Sequence, residues 1–71
     1  MVQTYGERLK ALREARDLTV EELAERAGLD ESYVWSVEES ALEPGMGHTA
    51  RLADALGVEP VVLAGLAPLS A

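Results

Sequence analysis

Residues 30–40, DESYVWSVEES, bring together side chains able to do chemistry. They hold carboxylates at Asp30, Glu31, Glu38 and Glu39, hydroxyls at Ser32, Ser36 and Ser40, and the single indole of the chain, Trp35. Such a segment can accept and donate hydrogen bonds and offer one large apolar surface. It has no cation, and from Ala27 to Thr49 the chain contains no Lys or Arg at all. The basic residues lie elsewhere, at Arg8, Lys10, Arg13, Arg16, Arg26 and Arg51. Thirteen acidic residues against six basic ones give a formal charge of −7. A protein that tracks phosphates needs clustered cations, because each neutralised phosphate steepens the salt dependence of binding by about 0.9 log units. The ordinary reading of this acid surplus is solubility. The sharper one is attraction for a cationic partner.

Catalytic and metal chemistry find little support. His48 is the only histidine and there is no cysteine. A zinc site needs three or four converging ligands, and scattered carboxylates around one His do not supply them. Glu21, Glu22 and Glu25 fall on the solvated face of a helix. Gly45-Met46-Gly47 reads as turn chemistry rather than a phosphate loop. No enzyme activity, metal or cofactor is expected. Trp35 has two readings of similar weight, a half-buried surface aromatic and an anchor at an interface.

The elements that must position these residues are short helices. A chain of 71 residues is one domain with a marginal core. Thr4 with Glu7, and Thr19 with Glu22, have the spacing of capping boxes and open helices over about 4–16 and 20–27. Tyr5, Leu9 and Leu12 form one apolar stripe, and Val20, Leu23, Ala24 and Ala27 another. Gly28 is placed to end the second helix in a left-handed conformation. Asp30 caps a third helix over about 31–39, with Val34 and Val37 inward, Tyr33 flanking them and Trp35 on the other side. Pro44, Gly45 and Gly47 mark a loop. A fourth helix, about 46–56, buries Leu52, Ala53 and Leu56 and stops at Gly57. Pro60 opens a fifth, about 60–65, where its missing N–H is harmless. Residues 1–66 make the domain and 67–71 a frayed tail. No strand pattern survives, so the fold class is an all-α bundle of five helices. No targeting segment is visible, and the longest apolar run, Val61 to Ala67, falls far short of the ~20 residues a membrane span needs. The absence of cysteine fits a reducing cytoplasm.

The run GERLKALREARDLTVEELAERAGLDESYVWSVEES, followed by EPGMGHTARLADALGVEPVVLAGL, resembles the lambda-repressor-like helix-turn-helix family of Cro and XRE type. The resemblance runs without a gap from about Gly6 to Gly65. It implies a sequence-specific DNA-binding transcriptional regulator that acts as a homodimer. The third helix would enter the major groove and the second would lie across the backbone. Carried over by position, base contacts fall to Glu31, Ser32, Trp35 and Ser36. Phosphate contacts fall to Thr19 and Val20 and to the loop from Ser40 to Glu43. Arg13 and Glu38 would form a structural ion pair. The apolar fifth segment exceeds what one face needs, so Val61, Val62, Leu63 and Leu66, with Leu69, are read as the dimer interface.

The departures from that family cluster on the DNA face that the resemblance implies. Val20 stands where a Gln usually reaches the backbone, Glu31 where a basic residue or Gln is common, and Glu39 where Arg or Asn is frequent. Ser40 replaces a Gly of positive φ, which predicts a strained or reshaped turn. Ala41 and Leu42 replace loop residues that are often basic. A carboxylate about 4 Å from a phosphate feels roughly 4 kcal/mol of repulsion at an effective dielectric near 20. One base suits a carboxylate: cytosine, whose exocyclic amine donates in the major groove, so Glu31 is a candidate cytosine reader. The alternative function is an acidic protein-interaction module on the same scaffold, an antitoxin, anti-repressor or accessory subunit that binds a basic protein.

Overall fold

Thr4 and Thr19 open two helices by the same device. Each threonine hydroxyl accepts the N–H of the residue three positions on, and that residue's carboxylate accepts the threonine N–H, at 2.8–3.1 Å throughout. In this computed structural model, which describes residues 3–40 and 42–66, five helices follow in order. They are α1 (Tyr5–Ala15), α2 (Val20–Ala27), α3 (Glu31–Glu39), α4 (Met46–Leu56) and α5 (Pro60–Leu63), and no strand forms among the described residues. The expected tail, 67–71, and Leu69 with it, lies outside the described residues, as does Ala41.

The ends of the helices have identifiable causes. Gly28 and Gly57 adopt φ of 69° and 71° after α2 and α4. Each turn is closed by an N–H that reaches back five residues, Leu29 to the Ala24 carbonyl and Val58 to that of Ala53. Asp17, after α1, takes φ 54° without being a glycine; a short polar side chain tolerates that conformation best. Asp30 differs from expectation. It occupies the cap position of α3, but its side chain makes no capping bond, and only its carbonyl starts the helix. The first helix is one residue shorter at each end than its apolar spacing suggests, because Thr4 and Arg16 are caps. The fifth stops at Leu63, with Gly65 at φ 81° two residues on.

One core joins all five helices. Leu9, Leu23, Val34, Val37, Leu52, Ala53 and Leu63 have no exposed surface, and Tyr5, Leu12, Leu18, Val20, Ala24, Ala27, Leu56 and Val62 are buried around them. Val62 and Leu63 are thus a correction to the expected dimer interface. They close the chain's own core, while Val61 and Leu66 stay exposed. Arg8 fastens this end of the chain. Its Nε donates to the Leu63 carbonyl at 2.7 Å and its Nη1 to the Gln3 carbonyl at 2.6 Å, while the guanidinium packs over the Tyr5 ring.

Buried polar groups are paired. Tyr5 and Thr49 share a hydrogen bond of 2.8 Å, and burial raises the Tyr5 phenol above its ordinary pKa. Arg13 and Glu38 meet through two bonds, Nε to Oε2 at 2.7 Å and Nη2 to Oε1 at 3.0 Å. The third guanidinium nitrogen donates to the Leu18 carbonyl at 2.8 Å. The carboxylate side chain of Glu38 is wholly buried. Gly6 lets α1 approach α3 here, since a Cβ on it would overlap the backbone carbonyl oxygen of Val37.

Removing one partner of this pair strands a charge in the core, at a cost of about 3–5 kcal/mol. Glu38→Ala is therefore expected to lower unfolding stability by that amount in urea titration. The double change Arg13→Met with Glu38→Leu is expected to be less damaging than Glu38→Ala alone. Equal stability of Glu38→Ala and the parent chain would contradict the assignment.

Candidate nucleic-acid interface

The geometry of the surface follows from which side of α3 the core takes. Val34, Val37 and Glu38 face inward. Glu31, Ser32, Trp35, Ser36 and Glu39 are all exposed. At 100° per residue these five fall in one arc, with Glu31, Trp35 and Glu39 in line at i, i+4 and i+8. The short α2 precedes α3 through the Gly28 turn, and both helices are braced from behind, α3 by α1 and α2 by α4.

Most side chains on this arc already have a local bond. Trp35 Nε1 donates to Glu31 Oε2 at 3.4 Å. Ser36 Oγ donates to the Ser32 carbonyl at 3.0 Å, which leaves its lone pairs free to accept. Ser40 Oγ donates to the Ser36 carbonyl at 2.6 Å and accepts the Leu42 N–H at 3.2 Å. Ser40 itself is extended, at φ −125°. Of the two expected outcomes, strain or a reshaped end, Ser40 shows the second: its hydroxyl closes the helix end in place of a left-handed glycine.

Thr19 is exposed at the head of α2, where its hydroxyl accepts the Glu22 N–H. Val20 is a correction: it is buried, 4% exposed, so its side chain cannot contact a ligand. Its spacing with Leu23, Ala24 and Ala27 had already placed it on the apolar face, and that pattern wins over the positional analogy.

Beyond α3, His48 at the start of α4 joins the surface. Its Nδ1 lies 2.9 Å from the Tyr33 hydroxyl, with the rings edge to face at 4.9 Å. This link between α3 and α4 was not legible in sequence, where His48 was an isolated polar residue. Gly45, Gly47 and His48 line an open depression of about 310 Å³. No side chain caps the N–H groups of α4 and no acid occupies its first turn. Trp35, Leu42 and Met46 are exposed apolar groups, at 46%, 46% and 68%. Among the described residues no group of three or more His, Asp or Glu converges as a metal site, and no helix is long and apolar enough to cross a membrane.

The charges are unevenly divided. Asp30, Glu31, Glu39 and Glu43 are exposed around α3 and its following loop. Arg13 and Arg8 are committed to bonds within the chain. Arg51 Nη1 lies 3.4 Å from the Gly28 carbonyl, which places a cation at the C-terminal end of α2, where the helix dipole favours it. Lys10, Arg16 and Arg26 remain exposed on α1 and α2 and at their ends.

A braced α2–turn–α3 pair with an outward α3 defines a helix-turn-helix transcription-regulator domain, and comparison with known proteins agrees. The helix-turn-helix domain family matches residues 4–66. An immunity repressor protein of Bacillus phage phi105 is 37% identical over 62 residues, 87% of this chain and 43% of the repressor. An uncharacterised HTH-type transcriptional regulator of Sinorhizobium fredii is 40% identical over 56 residues, covering 79% of this chain and 29% of that protein. The chain thus spans less than half the length of these curated relatives. Among solved structures, the restriction-modification controller protein C.AhdI of Aeromonas hydrophila superposes with a TM-score of 0.79 at 42% identity, over 83% of this chain and 89% of that one. A hypothetical transcription factor of Neisseria superposes at 0.77 with 30% identity, over 83% and 68% of the two chains. The chain belongs to the helix-turn-helix domain family.

The capping box that sets α2 has a pH consequence. Hydrogen bonds from the Thr19 backbone N–H, and then from its side chain, hold the Glu22 carboxyl below the usual glutamate range. A carboxyl whose folded pKa is depressed contributes stability above its unfolded pKa and loses it as pH falls through the folded one. The stability gap between the parent chain and Glu22→Gln is thus expected to be constant near neutrality and to shrink on acidification below the ordinary glutamate pKa. Thermal melts across that range check it; a gap that widens in acid would contradict it.

Proposed function

We propose that this chain acts as a sequence-specific, double-stranded-DNA-binding transcriptional regulator and works as a homodimer. The observation that carries the reading is the outward arc of α3, anchored by a buried ion pair and free of core contacts along Glu31, Ser32, Trp35, Ser36 and Glu39. In a helix-turn-helix domain that arc enters the major groove while α2 crosses the backbone. Thr19 then lies against the phosphate backbone, Ser32, Ser36, Trp35 and Glu31 face base edges, and Ser40 lies near the backbone beyond α3. The uncapped N–H groups of α4 suit a phosphate on the same side. The repressor and controller names of the relatives support regulation as the output.

Dimerisation rests on exposed apolar groups at the far end of the bundle. Val61 is 44% and Leu66 80% exposed, next to the buried Val62 and Leu63. A protomer 27 Å in its longest dimension allows two copies to place their α3 helices in successive major grooves, about 34 Å apart. Sedimentation equilibrium at high micromolar concentration is expected to give the mass of two chains, and a monomer there would refute this part.

A second reading is favoured by one observation, the surround of Trp35. Glu31 and Glu39 flank it one turn away on either side and no Lys or Arg occurs between Ala27 and Thr49. That ridge is complementary to a basic protein, as in an acidic module that has lost most DNA affinity. Charge reversal separates the two. If DNA is the ligand, Glu39→Arg is expected to tighten binding to duplex at low salt and to steepen the salt slope by up to about 0.9. If a basic protein is the ligand, the same change weakens that complex and the parent chain shows no duplex binding even at low salt.

A further inference from the structure

Glu31 and Trp35 are joined side chain to side chain on the outward arc, and the bond leaves a specific surface. The indole N–H takes one carboxylate oxygen, Oε2, at 3.4 Å. The other oxygen is left to accept. Next to it lies a large aromatic face, since Trp35 is 46% exposed. A hydrogen-bond acceptor and an apolar plate thus stand side by side at the first turn of α3, and neither side chain is needed by the core.

Each base pair offers the major groove a different edge. Guanine presents two acceptors, O6 and N7, and repels a carboxylate. Thymine presents a methyl group but also the O4 acceptor. Adenine has an amino donor beside the N7 acceptor. Cytosine alone places an amino donor, N4, beside an apolar carbon, C5. A methyl group on C5 extends the apolar part without adding an acceptor. From this match we infer that Glu31 and Trp35 form one reading unit for a cytosine edge, with Glu31 accepting from N4 and Trp35 covering C5, and that the unit favours 5-methylcytosine over cytosine. The inference rests on the DNA-binding reading above and names the base and the modification that the site prefers.

Trp35 has two roles in this unit. Its N–H fixes the rotamer of Glu31, so the carboxylate is presented rather than free to swing into solvent. Its ring supplies the surface on which a methyl group is buried. Glu39, one turn beyond Trp35, takes no part in the reading; it lies on the same line without a cation between Ala27 and Thr49 to offset it.

The test is a binding selection from random duplex DNA at low salt, run on the parent chain, Glu31→Gln, Trp35→Phe and Trp35→Ala. It is followed by titration of the selected duplex with cytosine or 5-methylcytosine at the read position. All three substitutions fall on exposed side chains, and melting curves check that the fold is kept. The parent chain is expected to require cytosine at one position of each half-site. Methylation there is expected to tighten binding by about fourfold, the gain for burying one methyl group. Glu31→Gln should relax the base requirement, because an amide also donates. Trp35→Phe should relax it partly, through loss of the N–H, while keeping a methyl gain. Trp35→Ala should abolish the methyl gain. If Glu31→Gln keeps the parent's base preference, or methylation leaves affinity equal or lower, the reading unit is refuted while DNA binding stands. If the parent chain binds no duplex at low salt, the DNA-binding reading fails and the inference with it.

Discussion

One buried guanidinium–carboxylate pair sets the pose of α3. Arg13 sits near the end of α1, Glu38 near the end of α3, and the third nitrogen of the same guanidinium holds the Leu18 carbonyl in the α1–α2 connection. A planar fork with fixed donor directions joins three segments at once, which a lysine could not do. The side chains of such a pair have little net worth compared with an apolar replacement of the same shape. What they confer is direction: with Glu38 fixed inward, the arc from Glu31 to Glu39 has to face out. Gly6 completes the arrangement by bringing the α1 and α3 backbones close enough for the pair to meet.

The same economy shapes the electrostatics. A chain with six basic residues commits Arg13 to the core pair and Arg8 to fastening α5, while Arg51 lies against the turn after α2. What remains exposed is predominantly acidic around α3. Nonspecific affinity for nucleic acid comes from phosphate neutralisation, and the surface around α3 offers few cations for it. Under the proposed function, discrimination would come from base-edge contacts, or from a partner that supplies the missing cations. The proposed homodimer would act in the same direction, since a second copy would double the base contacts without requiring a denser positive surface.

The apolar spacing and the caps made most of the fold legible in sequence. Thr4, Glu7, Thr19 and Glu22 stand at fixed intervals, and Tyr5, Leu9, Leu12, Leu23, Val34, Val37, Leu52 and Leu56 recur at helical period, which is a local property. What was hidden depended on distance. Leu18 is buried although it lies between helices, where no periodicity exists. Thr49 is buried because a tyrosine 44 residues away meets its hydroxyl. Val62 and Leu63 carried the same apolar signal as Val61 and Leu66, and only packing against α1 and α4 divides the four into core and surface. On the site, positional analogy placed Val20 at the ligand against its own amphipathic spacing, and the spacing was the better guide. The Trp35–Glu31 bond was accessible in principle as an i, i+4 pair, but its geometry needed the folded helix.

The central claim, that the outward arc of α3 is the DNA-contacting surface, is most directly tested by amide chemical-shift mapping of the isotopically labelled chain on titration with duplex DNA at low salt. The expected perturbations run through residues 31–36 and 39–40, with Thr19 and the first turn of α4. Perturbations confined to α5 and the outer face of α1, or none at all while the fold stays intact, would contradict it.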